Sequence, residues 1–184
     1  MMTIGYAIMA NDECYNFVRK IQLELHQEMG TGLARQSPHV TIKSPFETDE
    51  IEDHVLYLES LSNSIKSFEL ELEGFGSFGE NVIFLAVKKS QKLMELHQKI
   101  LSEVKAHFGL EPHDFEGENI RFHMSVAGFD SSESFHSAQL YLKKYNPKFK
   151  YKIETLGLFY YLGNGNGWIV NRKISIGSQG KSDD

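Results

Sequence analysis

Ser37-Pro38-His39-Val40-Thr41-Ile42-Lys43-Ser44-Pro45-Phe46 is the stretch on which the reading of this chain turns. Taken as a β-strand, it points successive side chains to opposite faces. His39, Thr41 and Lys43 then share one face, and Val40 and Ile42 point the other way, toward a core. A second stretch far downstream, Arg121-Phe122-His123-Met124-Ser125-Val126, has the same character. There His123 and Ser125 share a face, while Phe122, Met124 and Val126 form the apolar one. Either copy alone carries little weight, because a chain with eight histidines supplies a stray His-x-Ser/Thr by composition. Their positions in the whole chain give them weight.

Working outward, Ile4 to Met9 is β-prone, and Asn11 opens a helix along which Tyr15, Val18, Ile21, Leu25 and Met29 recur at helical spacing until Gly30. After the first motif strand, Thr48 begins a second helix, with Ile51, Val55, Leu58, Leu61 and Ile65 on one face. Phe68 to Glu73 alternates apolar and acidic residues, as a half-buried strand does. The same β-α-β-α-β order then returns. Asn81 to Val87 is a strand, and Ser90 caps a helix carrying Leu93, Leu96, Ile100, Val104 and Phe108, which Gly109 stops. Beyond the second motif strand, Ser131 or Ser132 starts a helix and Phe149 to Ile153 is a strand. Asn11 to Ser90 and Gly30 to Gly109 are each 79 residues apart; His39 to His123 and Thr48 to Ser132 are each 84. The chain is therefore read as an internal duplication, with repeat one at about 1–74, repeat two at about 81–155 and a closing hairpin at about 156–176, all in one bilobed domain. Both His-x-Thr/Ser strands fall at the same place in their repeats.

The bulk numbers narrow the class. The 184 residues suffice to bury a real core, and the hydrophobic (41%) and charged (24%) shares are ordinary for a globular chain. A net charge of −6 argues against gripping extended nucleic acid through its phosphates, though not against a small phosphate ligand in a local pocket. Cys14 is the only cysteine, so no intrachain disulfide is expected. No apolar run reaches the roughly 20 residues of a membrane span. The opening Met1 to Ala10 reads as a strand rather than a secretory signal, so a cytoplasmic protein is expected.

The paired motifs in their duplicated setting resemble the two-histidine (2H) phosphoesterases, the group that includes bacterial 2′-5′ RNA ligase-like proteins and cyclic phosphodiesterases. SPHVTIKSPF matches the first motif, including the proline before the histidine, and FHMSVAGF matches the second with Phe122 where proline is common. The resemblance implies an α+β, LigT-like fold: duplicated β-α-β-α-β units forming two lobes around a central cleft, plus a C-terminal β-hairpin. It implies a phosphoesterase acting on 2′,3′-cyclic phosphate ends of nucleotides or RNA, without metal or other cofactor. His39, His123, Thr41 and Ser125 would be catalytic, with His39 as acid and His123 as base by analogy. Alternatives are an RNA 2′-5′ ligase or phosphodiesterase, or a phosphate- or RNA-binding module without turnover. The expected partner is a small cyclic-phosphate nucleotide or short RNA end, with neither membrane nor extended nucleic acid. The chemistry suits these residues: imidazole titrates near pH 6.5, so two of them can supply acid and base together, and hydroxyls can donate to the phosphate oxygens.

Lys43 and Arg121 are candidate sources of positive charge, as is Arg35, and Phe46 and Tyr160 (with Tyr161) are candidates to stack on a base. Gly74 to Gly79 fits G-x-G-x-x-G, but a strand follows rather than a helix, so it reads as a connection between the halves. The Asn-Gly run at 163–167 reads as a hairpin turn. His113, Asp114, Glu116 and Glu118 read as a solvated loop, and His26, His54, His97, His107 and His136 as surface or helix-end residues.

Overall fold

The computed structural model describes residues 1–32, 36–163 and 167–177. The elements run β1 (Met2–Met9), α1 (Asp12–Met29), β2 (His39–Thr48), α2 (Ile51–Ser64), β3 (Glu69–Phe78), β4 (Val82–Val87), α3 (Gln91–Phe108), β5 (His123–Gly128), α4 (Ser132–Leu142), β6 (Lys148–Lys152), β7 (Thr155–Tyr161) and β8 (Trp168–Ser175). Arg35, the centre of the Asn-Gly run at 164–166 and the tail from Ser178 lie outside the described residues.

The duplication is visible in how the long helices begin and end. Asn11 accepts a hydrogen bond from the Cys14 N–H at 3.1 Å, and Ser90 accepts one from the Leu93 N–H at 3.2 Å. Gly30 and Gly109 close α1 and α3 in the left-handed conformation, both with φ 66°. That conformation strains any residue with a Cβ, which is why glycine stands at both stops. The buried stripe of α1 holds Val18, Ile21 and Leu25 as expected, with Met29 packed on the core, but at its start Cys14 is buried in place of Tyr15, which is exposed. α2 begins later than expected, at Ile51; Thr48 belongs to β2 and accepts a hydrogen bond from the Glu50 N–H at 3.0 Å.

Two antiparallel four-stranded sheets are formed, in the orders β2-β1-β7-β8 and β5-β4-β3-β6. The lobes do not coincide with the repeats. β3 ends the first half yet pairs with β4 and β6, and β7, which follows the second half, pairs with β1. Each sheet is thus completed by a strand from outside its own repeat, so the two halves cannot separate without losing ladder hydrogen bonds. The glycine-rich segment Gly74 to Gly79 lies in β3 and the turn into β4, as expected of a connection. The motif strands β2 and β5, each at the end of its sheet, come close to one another.

The repeats differ in the connection that leads into the second motif. From Gly30 to His39 the chain advances nine residues, and from Gly109 to His123 fourteen. The longer connection contains a short 3-10 turn, Gly117–Asn119, and places Glu116 in the interior.

Candidate active site

Both motif histidines are held the same way. His39 Nδ1 lies 2.7 Å from the Ser37 carbonyl, and His123 Nδ1 lies 2.8 Å from the Arg121 carbonyl, two residues back in each case. A carbonyl only accepts, so each Nδ1 carries its proton and donates, leaving Nε2 as the atom that can give or take a proton. Ring contacts fix the planes. His39 lies against Phe159 with centroids 4.1 Å apart, and His123 meets Phe78 edge-on at 4.7 Å and Phe84 at 5.2 Å.

The register places the hydroxyls. Met9 pairs with His39 and Ala7 with Thr41 across β1 and β2; Ala86 pairs with His123 and Phe84 with Ser125 across β4 and β5. One depression is lined by His39, Thr41, Lys43, Ser125, Gln36, Phe159 and Trp168, among others. A second is lined by His123, Arg121, Thr41, Ser44, Asn119, Phe78 and Phe115, among others. Thr41 and Pro45 border both, so the four motif side chains belong to one continuous cleft.

Burial controls the proton affinities. It pushes the His39 imidazole down to about 4, and although the bond to the Ser37 carbonyl opposes this, a charge on nearby His123 adds to it. His123 is also lowered, by burial first and then by the Arg121 charge, against its bond to the Arg121 carbonyl. Both rings are therefore neutral near pH 7.

The sequence matches the 2′-5′ RNA ligase superfamily over residues 10–165. The chain belongs to this superfamily. A protein of Bacillus licheniformis named "Putative phosphoesterase" is 31% identical over 148 residues, spanning 77% of this chain and 81% of its own. The structure superposes on TT0787 of Thermus thermophilus with a TM-score of 0.63 at 14% identity, covering 97% of this chain and 100% of that one. It superposes on Escherichia coli LigT, in a complex with NADP+, with a TM-score of 0.58 at 15% identity, covering 95% and 97%. The LigT-like α+β fold expected from the motifs is the observed one. Phosphoesterase chemistry is the class of reaction that goes with this membership.

In this 2′-5′ RNA ligase superfamily protein several expected binding residues do other work. Lys43 is no free cation on the cleft face. Bulges in β2 opposite Gly5 and Tyr6 break the alternation, and Ile42, Lys43 and Ser44 are all buried. The Lys43 ammonium donates to Glu116 Oε2 at 2.7 Å, with both side chains at most 1% exposed. Glu116 also accepts from the Ser44 N–H at 2.7 Å and the His113 N–H at 2.9 Å. Burial works against its ionisation, but these three donors outweigh it and hold the carboxyl below the usual carboxylate range. Glu116 thus leaves the expected solvated loop. His97, expected at a surface, is fully buried: its Nδ1 donates to the Ile42 carbonyl at 2.8 Å and its Nε2 accepts from the Gly117 N–H at 2.9 Å. His54 is likewise interior, beside the Tyr6 hydroxyl at 2.5 Å.

The aromatic candidates shift by one position or move inward. Phe46 is core, edge-on to Tyr6 at 5.6 Å, so it has no face free for a base. Tyr160 packs against the main core, and its neighbour Phe159 faces the cleft because strand side chains alternate. Tyr161 rests on Trp168 with centroids 5.2 Å apart, and Trp168 lines the cleft. Arg121 is exposed and lies over Phe78 and Phe84 at 5.2 and 4.9 Å. Gly76 makes room for that stack, since a Cβ there would come within 2.5 Å of the Phe84 ring. Phe78, Phe159 and Trp168 were missed in the sequence because period-two alternation says nothing about which strand faces the cleft, and Phe115 because it lies in the connection before β5, where no periodicity applies. No helix among the described residues is long and apolar enough to cross a membrane.

Proposed function

We propose that this protein hydrolyses 2′,3′-cyclic phosphate ends of nucleotides or short RNA, with His39 and His123 as the acid and base pair and Thr41 and Ser125 as donors to the phosphate oxygens. The supporting observation is the matched pair of imidazoles, each with Nδ1 committed to a carbonyl, on one cleft with both hydroxyls. Opening the ring needs a proton removed from water on one side of phosphorus and another delivered to the departing ribose oxygen on the other. Two Nε2 atoms on opposed strands meet that demand from the chain's own residues. Charge that builds on the non-bridging oxygens is met by the hydroxyls of Thr41 and Ser125 and by nearby Arg121. E. coli LigT has been crystallised with 3′-AMP, with ATP and with phosphate, which agrees with a nucleotide-sized substrate here. The net charge of −6 also favours a short substrate over extended RNA.

The test is to incubate the purified protein with the four nucleoside 2′,3′-cyclic phosphates and with oligonucleotides ending in cyclic phosphate, and to locate the product phosphate by phosphorus NMR. Ring opening to a single monoester isomer is expected. Cleavage of linear 2′-5′ bonds with every cyclic end left intact would overturn the proposal. Turnover is expected to survive EDTA, since acid, base and oxyanion donors are side chains; loss on chelation restored by one divalent ion would place the chemistry on a metal.

The pH dependence follows from burial. The productive form carries one proton on the pair, so it accumulates between the two pKa values of the pair. At low pH both rings are charged and no base is left; once the pH has risen above both imidazole values, each held below 6.5, no acid is left. The kcat/KM profile should therefore be bell-shaped with its maximum below about pH 6.5. Initial rates at low substrate across pH 3.5–9 check this, and a maximum above pH 7 contradicts it.

A further inference from the structure

We infer that His97 is a positioning residue for the reaction, a buried strut that sets the second motif strand against the first and so fixes where the motif side chains meet the phosphate. This rests on the phosphoesterase reading above. His97 lines neither depression of the cleft and acts only through the residues it touches.

The two motifs stand on end strands of different sheets, and among the described residues no ladder joins β2 to β5. Their separation matters, because a misplacement of about 1 Å at a reacting centre can cost on the order of 10²-fold in rate. Something other than sheet pairing has to hold it. β2 is also irregular just where the site begins. Ala7 pairs with Thr41 and Tyr6 with Lys43, which leaves Ile42 with no residue opposite it. Ile4 then pairs with Phe46, so Ser44 and Pro45 stand together opposite Gly5. Bulges so close together leave buried backbone groups that the ladder does not use, and such groups need other partners.

His97 supplies one of those partners and carries the tie to the second motif. It stands on α3 with no exposed surface. Its Nδ1 donates to the carbonyl of Ile42, the residue after Thr41, at 2.8 Å. Its ring meets Phe122, the residue before His123, edge-on with centroids 5.5 Å apart. Phe122 is itself buried, so the contact is part of the packed interior. The remaining nitrogen, Nε2, accepts from the Gly117 N–H at 2.9 Å and holds the connection that leads into β5. Glu116, on the same connection, takes the Ser44 N–H that the second bulge frees. One imidazole thus touches the neighbours of both motifs and the segment between them. A single neutral tautomer satisfies both hydrogen bonds, since a second ring proton would point at the Gly117 N–H. Burial holds the His97 imidazole below its usual range, helped by the charges of Lys43 and Lys89 and opposed by the Ile42 bond and Glu116.

The test separates placement from mere stability. His97→Phe keeps a ring in the same space and removes both hydrogen bonds, whereas His97→Gln offers a donor and an acceptor on one amide. On adenosine 2′,3′-cyclic phosphate, His97→Phe should lower kcat roughly 10- to 100-fold with little change in KM, and His97→Gln should recover most of that loss. Proton NMR of the His39 and His123 rings gives a readout that needs no turnover. In His97→Phe both sets of resonances should leave their places in the unaltered protein, and in His97→Gln they should return toward them. A lower Tm with kcat and both sets of resonances unchanged overturns the inference, because His97 then serves stability alone. An equal loss of kcat in His97→Gln overturns it too, since the hydrogen bonds would not be what places the strands. If His97→Phe does not fold, His97→Asn, which keeps a donor for Ile42 but is too short to reach Gly117, carries both readouts in its place. If the unaltered protein opens no cyclic phosphate, the substrate reading falls and the ring resonances alone decide the role of His97.

Discussion

His39→Ala and His123→Ala should each lower kcat/KM on a cyclic-phosphate nucleotide by about 10²–10⁴-fold, the usual worth of a positioned acid or base. The double variant should cost far less than the product of the two, because the pair passes protons as a unit. Thr41→Val and Ser125→Ala each remove one donor while leaving proton transfer in place, so each should lose less than either histidine. The comparison requires proteins of equal stability. Each imidazole is bonded to a carbonyl of its own strand entry and packed against aromatic rings of the cleft, so melting curves separate a loss of catalysis from a loss of packing. Steady-state kinetics of the four single variants and the double, with melting curves alongside, give the result. A histidine variant that keeps full activity would remove that residue from the mechanism.

The second large effect is on stability. Glu116→Ala leaves the Lys43 ammonium buried and unpaired, together with the N–H groups of Ser44 and His113. Breaking a buried pair from one side costs on the order of 3–5 kcal/mol, because an uncompensated charge remains in the interior. For a chain of this size that corresponds to a fall in Tm of roughly 10 °C or more. Lys43→Ala should be similarly harmful. Replacing both partners together, as Lys43→Met with Glu116→Leu, should recover most of the loss, since no charge is then left unpaired. Chemical denaturation of the two singles and the double provides the cycle. If the double is as unstable as the singles combined, the pair is not what holds this region.

The pair also lies where it matters for the site. Ile42 is held through its carbonyl by His97, Lys43 through its ammonium and Ser44 through its N–H by Glu116. Three consecutive residues of the bulged strand are thus tied down immediately after Thr41. The longer connection that brings Glu116 also carries Phe115, Asn119 and Arg121 of the cleft wall. One segment therefore anchors the first motif strand and walls the site of the second.

The motif pairs were legible in the sequence because alternation along a strand is a local property of the backbone. His39 with Thr41, and His123 with Ser125, share a face wherever the strands happen to pair. The duplication was legible too, since caps and stops such as Asn11, Ser90, Gly30 and Gly109 act within a turn of the helix they bound. Everything that depended on which strand lies beside which had to wait for the tertiary structure. The place of β7 beside β1 comes from pairing across more than half the chain, and that of β3 beside β6 from pairing across about 80 residues. The bulge that turns Lys43 inward arises from register against β1, and its partner Glu116 is 73 residues away. The same holds for the choice of Phe159 over Tyr160 at the cleft. Local geometry determines which residues share a face; only long-range packing decides what that face meets and whether a charge on it reaches water.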